Sequence, residues 1–397
     1  MNTTPNRLGI IYGTAIVFFL IGIGLSFPLW LNSRLFPMVP VFEGMPLLSA
    51  PLDAVLLSLF SLGIIASLFS NSLIIRVTTA VLLLFLLLQD QMRWQPWVYT
   101  YALVLLLSLA FLPELRKKSP DSNRWFLRSF QILMIGIYFW SGLNKLNPGF
   151  TEITYRLMMS NLFGFSEGSP LYEATWLGYL IPLVEMGVAV GLYFPASRKP
   201  AVVGAIFTHV VIMAYLFTMG NNMIVLPWNI AMCLFVVAAF WGQEEKIVFR
   251  STIRKSRKKK AQNQIAPWPV FAVVLLAWLA PSLRFAGKWD NYLSFNLYSD
   301  NIKYLYIGVR GAALDELDEK LEPYYLDNSI LDEGETIDVF TWSLEELNVP
   351  VYPERRVYQS LAKHFCKTEP QDFMFIEYTL PFSAGEYEIF SCQTWSK

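Results

Sequence analysis

The chain has 397 residues, of which 54% are hydrophobic, and its formal net charge is zero. Its mean hydropathy is +0.41, and the apolar residues occur in long runs. This composition excludes a small soluble domain and predicts a polytopic membrane protein, because a helix needs about 20 apolar residues to cross a bilayer. The basic run 254–260 immediately precedes an apolar span, which indicates a topology anchor in contact with anionic lipid and not a nucleic-acid site.

Nine apolar runs are predicted to span the membrane. They cover residues 8–30, 52–70, 72–89, 97–113, 125–145, 174–194, 200–218, 223–241 and 267–283. Lysine and arginine concentrate in the loops at 116–128, 198–199 and 246–260. By the positive-inside rule these loops are cytoplasmic, which places the N-terminus in the cytoplasm and the C-terminal segment outside.

A polar and aromatic link, residues 89–97, joins the third and fourth predicted spans. Asp90 lies at the membrane end of a helix, and Trp94 and Trp97 follow it. One interpretation is an interfacial aromatic belt with an ion pair between Asp90 and Arg93. The other is that Asp90 belongs to a functional site on the outer side of the membrane.

The fifth predicted span ends in a polar stretch. At helical spacing, one of its faces carries Gln131, Met134, Tyr138, Ser141 and Lys145. Hydrocarbon cannot satisfy such a face, so we expect it to look into a protein interior or a wet cavity. Residues 147–149, Asn-Pro-Gly, end the helix about one turn beyond Lys145. Lys145 is then either a snorkelling lysine with its head at the lipid interface, or a cavity lysine that accepts a proton or pairs with an anion.

Two ionisable residues lie inside later spans. Glu185 is costly at that depth unless it is paired or protonated, so it either bonds a neighbouring helix or has a functional role. His209 is the only histidine in the predicted spans, which excludes bis-histidine haem ligation within the chain. Asn221 precedes the eighth span and Asn229 lies within it. No spacing of cysteine and histidine typical of a metal site occurs.

Beyond the last span the composition becomes soluble and acidic. We therefore predict a helical membrane domain over 1–283 and a small extracytoplasmic α+β domain over 284–397. The predicted elements are strands at 301–309, 373–380 and 387–392, a capping box at 343–346, and a helix at 354–365. Cys366 and Cys392 share this domain, where an oxidising compartment would permit a disulfide between them.

Three stretches, 89–97, 138–150 and 209–228, together resemble the HTTM superfamily, the membrane domain shared with vitamin K-dependent gamma-glutamyl carboxylase. The resemblance covers residues 50–245. It aligns Lys145 with the lysine thought to deprotonate the quinol. Trp97 stands where the family has its catalytic-site histidine, and an indole cannot accept a proton, so the resemblance does not imply vitamin K chemistry. The chain also resembles, more weakly, the DoxX/MauE group of redox-associated membrane proteins.

The resemblance implies an inner-membrane protein of bacterial type that binds or transforms a quinone- or lipid-like molecule. Lys145 would be its base near the outer leaflet, helped by Asp90, Tyr138 and His209. The residues expected to bind the substrate are Trp94, Trp97, Ser141, Asn144, Glu185, Asn221 and Asn229. The alternative is a non-catalytic DoxX/MauE-like subunit that assembles with a membrane or periplasmic partner in a redox or secretion complex. A transporter is less supported, because the sequence shows no internal repeat.

Overall fold

The computed structural model describes residues 4–70, 72–115, 120–220, 222–247, 268–367, 369–380 and 387–395. Two features of the sequence analysis therefore lie outside the described residues. These are Asn221 and most of the basic loop residues, namely 116–118 and 254–260. The described chain is mostly helical, with one small antiparallel sheet near its C-terminal end.

The first part of the chain forms helices α1 to α13. Their bounds are α1 Thr4–Leu25, α2 Phe27–Trp30, α3 Leu52–Phe69, α4 Leu73–Gln89, α5 Pro96–Leu115, α6 Pro120–Asn144, α7 Tyr155–Phe163, α8 Pro170–Glu173, α9 Leu180–Tyr193, α10 Arg198–Met219, α11 Val225–Phe240, α12 Trp268–Val274 and α13 Ala280–Ser282. Two π-helical turns, Phe150–Thr154 and Leu275–Leu279, extend α7 and α12.

Five helical segments are long and apolar enough to cross a membrane. They are Asn6–Leu25, Leu52–Phe69, Arg124–Asn144, Thr175–Tyr193 and Pro195–Met219. Four shorter apolar segments coincide with the other predicted spans, namely Leu73–Gln89, Pro96–Leu109, Val225–Phe240 and Phe271–Ala286. The structure is thus consistent with a membrane protein, while crossing by all nine remains a prediction.

Aromatic packing fixes the centre of the helical part. Phe19 of α1 is fully buried, with its ring centroid 5.5 Å from that of Phe60 on α3 and 5.4 Å from that of Tyr101 on α5. Trp97 at the start of α5 completes this cluster, 6.0 Å from Phe19. Because aromatic pairs at such separations stabilise beyond their buried area, this cluster fixes α1 against its neighbours.

The C-terminal domain is built on a four-stranded antiparallel sheet of order β2-β1-β3-β4. The strands are β1 Lys303–Val309, β2 Glu335–Asp338, β3 Phe373–Thr379 and β4 Tyr387–Ser391, and the helices are α14 Ala312–Glu316, α15 Val339–Leu347, α16 Arg355–Phe365 and α17 Cys392–Trp395. Three predicted strands and the helix α16 are confirmed, and α16 buries Val357, Leu361 and Phe365 as the spacing predicted.

Two details of this domain differ from the prediction. The capping box predicted at 343–346 is wrong, because α15 begins earlier and its cap is Asp338, whose carboxylate accepts from the N–H groups of Phe340 and Thr341. The short strand β2 was not predicted, since it has only four residues and an acidic residue at each end.

The domain is closely joined to the helices. Glu346 of α15 accepts from the backbone N–H groups of Leu35 and Phe36, at 2.5 and 2.9 Å. Gln95 donates to the carbonyl of Pro350 at 3.1 Å, and Asn144 donates to that of Ser294 at 2.8 Å. Within the domain, Cys366 and Cys392 form a disulfide.

Candidate functional site

Lys145 lies in the protein interior, paired with a carboxylate from another helix. Its Nζ is 2.9 and 3.1 Å from the two carboxylate oxygens of Glu185 on α9. It also donates to the hydroxyl of Ser141, one turn back, at 2.7 Å. The side chains of Lys145 and Glu185 are only 7% and 4% exposed, so Lys145 is not a snorkelling lysine.

Close approach of the two helices makes this pair possible. A Cβ added at Gly142 would lie 2.8 Å from the carbonyl oxygen of Pro182 and 2.8 Å from the Met186 side chain. Glycine at 142 therefore lets α6 and α9 pack at the distance that the Lys145–Glu185 contact requires.

A second polar chain runs beside the pair. The hydroxyl of Tyr138 is 2.7 Å from Nε2 of His209, and Nδ1 of His209 is 2.7 Å from Oδ1 of Asn229. The Asn229 amide nitrogen donates to the carbonyl of Val225, so its oxygen is the acceptor and His209 Nδ1 carries a proton. His209 Nε2 then accepts from Tyr138, which assigns a neutral imidazole to this chain.

Both groups line one small cavity. Tyr138, Ser141, Lys145, Glu185, His209 and Asn229 all line a cavity of about 50 Å³ between α6, α9, α10 and α11. A water needs about 10–15 Å³ of such space, so the cavity can hold water between the Lys145–Glu185 pair and His209. The arrangement is suited to proton transfer, since it places two hydrogen-bonded groups of polar and ionisable side chains on the wall of one buried cavity.

A larger cavity of about 310 Å³ adjoins the small one. It lies between the ends of the membrane helices and the C-terminal domain, in the size range of small-molecule sites. Its walls come from both parts of the chain, for example Leu157 and Met219 from the helices and Phe340 and Tyr378 from the domain. Four residues line both cavities and so form the partition between them: Val225, Trp228, Leu297 and Tyr298.

The larger cavity contains buried polar atoms without a protein partner. Trp97, Trp228 and Asn222 line it, and the indole N–H groups of the two tryptophans and the amide oxygen of Asn222 are buried without a hydrogen-bond partner within the described chain. Buried polar atoms are normally satisfied, and a bound molecule is one way to satisfy them.

The segment that carries Tyr298 and Asp300 shapes this cavity from the domain side. Tyr298 has a positive φ of 49° and its hydroxyl accepts from the Asn222 amide at 2.5 Å. Asp300 accepts from the hydroxyl of Thr154. Burial raises the pKa of the Tyr298 hydroxyl and of the Asp300 carboxyl, because it removes the water that would stabilise their charged forms.

Asp90 is not part of this site. Its carboxylate is 2.6 Å from the Arg34 guanidinium and accepts from the N–H groups of Val39 and Met92, at 3.2 and 3.1 Å. The predicted pair with Arg93 is wrong, because the guanidinium of Arg93 donates to backbone carbonyls.

Three other candidates do not line the small cavity around Lys145. Trp94 donates to the carbonyl of Leu87 and lines a separate, wholly apolar groove of about 560 Å³. Asn144 accepts from Arg284 at 3.0 Å and joins α6 to the C-terminal domain. Trp97 lines the larger cavity but not the small one.

Sequence reasoning missed Asn222, Tyr298 and Asp300. Nothing in the sequence marks them, because the loop that holds Tyr298 and Asp300 meets the helices only through the tertiary fold.

No group of three histidine, cysteine, aspartate or glutamate side chains in the described ranges could hold a metal ion. Comparison of the chain with family models, with curated proteins and with solved structures gave no match.

Proposed function

We propose that this chain is a polytopic membrane protein that holds an apolar, quinone- or lipid-like molecule in the larger cavity and transfers a proton to or from it through Lys145 and Glu185. The observation that carries the proposal is the partition shared by the two cavities. It puts a buried, ionisable cluster one side chain away from a space large enough for a ligand.

Each part of the site has a task in this proposal. The unpaired indole N–H groups of Trp97 and Trp228 donate to an oxygen of the ligand. Lys145 gives up or takes a proton, with Glu185 as its counter-charge. Tyr138 and His209 form a second hydrogen-bonded pair on the wall of the same small cavity, where water would connect them to Lys145, and movement of Tyr298 would open the partition.

The proposal includes nine crossings, a cytoplasmic N-terminus and an extracytoplasmic C-terminal domain. Three observations support it: the basic loops, the four shorter apolar segments at the remaining predicted spans, and the disulfide, which suits an oxidising compartment. A reporter active only in the cytoplasm should work when it is fused after Lys260 and fail when it is fused after Lys397. Activity at both points would contradict nine crossings.

Extraction of the purified protein tests whether a ligand occupies the larger cavity. Mass spectrometry should find an apolar molecule that co-purifies with the wild type. The molecule should be depleted in Leu157→Trp, because the larger indole occupies part of the cavity that Leu157 lines. Phe163→Trp is the matched control, because Phe163 lies on the same helix, is 62% exposed and does not line the cavity. Equal occupancy in all three proteins would contradict the assignment of the cavity.

Lys145→Arg tests the proton step. Arginine keeps the positive charge beside Glu185 but cannot lose its proton, so we expect a folded protein that fails to restore the phenotype caused by deleting the gene. Full restoration at normal expression would show that Lys145 does not act as a base, and would favour a second candidate function.

That second candidate is a non-catalytic subunit of a redox or secretion complex. It is favoured because the Lys145 ammonium already donates to three oxygen atoms of Glu185 and Ser141. Such bonds would suit a structural link between α6 and α9. In that case another membrane or periplasmic protein should co-purify stoichiometrically and the larger cavity should hold no specific molecule.

A further inference from the structure

The larger cavity has an unbalanced charge. Two carboxylates, Asp300 and Asp338, line it, and no lysine or arginine is among its described lining residues. Asp338 is already engaged, since it caps α15 through Phe340 and Thr341. Asp300 is different, because within the described ranges no basic side chain pairs with it.

The nearest basic residue of the site cannot supply the missing charge. Lys145 lines only the small cavity and is paired with Glu185. The two cavities together therefore hold one positive and three negative side chains when all are ionised. Such a surplus repels a phosphate, sulfate or carboxylate group and attracts a cation.

Aromatic rings surround the same space. Tyr215, Tyr298, Tyr304 and Tyr378 line the cavity, and the rings of Tyr304 and Tyr378 stack with centroids 5.5 Å apart. Burial raises the pKa of the Tyr304 hydroxyl, and the nearby Asp300 carboxylate raises it further. The ring of Tyr378 also stacks on that of Tyr306, with centroids 4.3 Å apart, so the aromatic surface left for a ligand comes from the other tyrosines. Aromatic rings beside a carboxylate are typical of sites that bind alkylammonium groups through cation–π attraction.

We propose that the ligand is an amphiphile whose polar end is a cationic amine, with that amine held between Asp300 and the tyrosine rings. This inference rests on the proposed function, and it selects an amine-bearing lipid over a quinone. Its apolar part lies against Leu157, Leu216 and Met219. The unpaired amide oxygen of Asn222 accepts from the amine or from a neighbouring donor on the ligand.

Binding of matched probes to the full chain in nanodiscs of uncharged lipid tests this proposal. The probes are octyltrimethylammonium, octanol and octyl sulfate below their micellar concentrations, measured by calorimetry against empty nanodiscs. We expect octyltrimethylammonium to bind at least about tenfold more tightly than the other two, as a cation–π and carboxylate contact of ordinary strength gives.

Substitutions test which residues cause the preference for octyltrimethylammonium. Asp300→Asn keeps an oxygen for Thr154 and should remove the tenfold preference. Glu167→Gln removes one exposed carboxylate elsewhere and should leave it unchanged. Tyr304→Leu, which removes an aromatic face, should weaken only the ammonium probe. If Asp300→Asn does not fold, the Tyr304 variant decides.

The outcomes separate this inference from the proposed function. Equal binding of all three octyl probes, or tighter binding of the sulfate, overturns the amine assignment while the apolar site stands. Binding of none of them, or binding that Leu157→Trp leaves unchanged, overturns both. Choline without a chain distinguishes the source: affinity equal to that of the octyl probe indicates a soluble amine, and much weaker affinity indicates a membrane lipid.

Discussion

Two buried ion pairs lie among the helices in the part of the chain that the structure describes, and they are built differently. Arg34 and Asp90 are 1% and 0% exposed, and both also bond backbone groups, including the carbonyl of Leu29 and the N–H of Met92. Lys145 and Glu185 are almost as buried, but Glu185 bonds only a side chain and the pair faces a cavity.

The difference indicates two roles. Charges tied to backbone groups hold a chain segment in place, and a change in either charge leaves several buried groups unsatisfied. Charges tied mainly to side chains beside a cavity can exchange a proton with little change at the backbone, where Lys145 has only a 3.3 Å contact with the Ser141 carbonyl. This contrast supports our proposal that Arg34–Asp90 serves the architecture and Lys145–Glu185 the chemistry.

The strongest test of the architectural pair is Asp90→Asn. It leaves the Arg34 guanidinium buried without a counter-charge, and we expect a loss of about 3–5 kcal/mol in the free energy of unfolding. Titration with sodium dodecyl sulfate, followed by circular dichroism, measures it. Glu167→Gln is the control for a carboxylate at the surface. A loss in Asp90→Asn no larger than in this control would contradict the role.

Glu346→Gln tests how the C-terminal domain holds the segment next to Arg34. The carboxylate of Glu346 accepts from Leu35, Phe36 and the Trp342 indole, whereas an amide offers one accepting oxygen. We expect a loss of about 1.5–3 kcal/mol, typical of hydrogen bonds to a charged group. The same titration checks it, and an unchanged midpoint would show that Glu346 does not stabilise the contact between the domain and residues 35–36.

Gly142→Ala tests the setting of the chemical pair. The added methyl meets the Pro182 carbonyl and should separate α6 from α9, at a cost of about 1–3 kcal/mol and with loss of function. Gly187→Ala is the matched control on α9, because nothing lies within 4 Å of its added Cβ. Equal behaviour of the two variants would contradict the close approach.

The smallest effect is expected for Glu43→Gln. Glu43 pairs with Lys363 at the surface, with the Glu43 side chain 85% exposed, so water screens the contact. The melting temperature should not change measurably. A clear decrease would show that ion pairs stabilise this protein whether or not they are buried.

Much of the fold followed from local pattern. The apolar runs predicted the helices, and the spacing of Val357, Leu361 and Phe365 predicted the buried face of α16. The polar face of α6 located Lys145, Ser141 and Tyr138 together, since one helix fixes their relative positions.

Long-range partners could not be predicted in this way. Glu185 lies 40 residues from Lys145, and Arg34 lies 56 residues from Asp90, so only the tertiary fold reveals which charge meets which. The sequence offered Arg93 as the nearer partner for Asp90, and backbone carbonyls occupy that guanidinium instead. A cavity for a quinone- or lipid-like molecule was expected, but the contribution of the C-terminal domain to the wall of the larger cavity could not be predicted for the same reason.

The double variant Lys145→Met, Glu185→Leu tests the central claim most directly. Replacing a buried ion pair by apolar residues of similar volume is often neutral for stability, so the protein should unfold at about the wild-type detergent concentration. It should nevertheless fail to restore the phenotype of the deleted gene, because no group is left at this position to carry a proton. Full restoration at wild-type expression would show that Lys145–Glu185, like Arg34–Asp90, only holds the structure together.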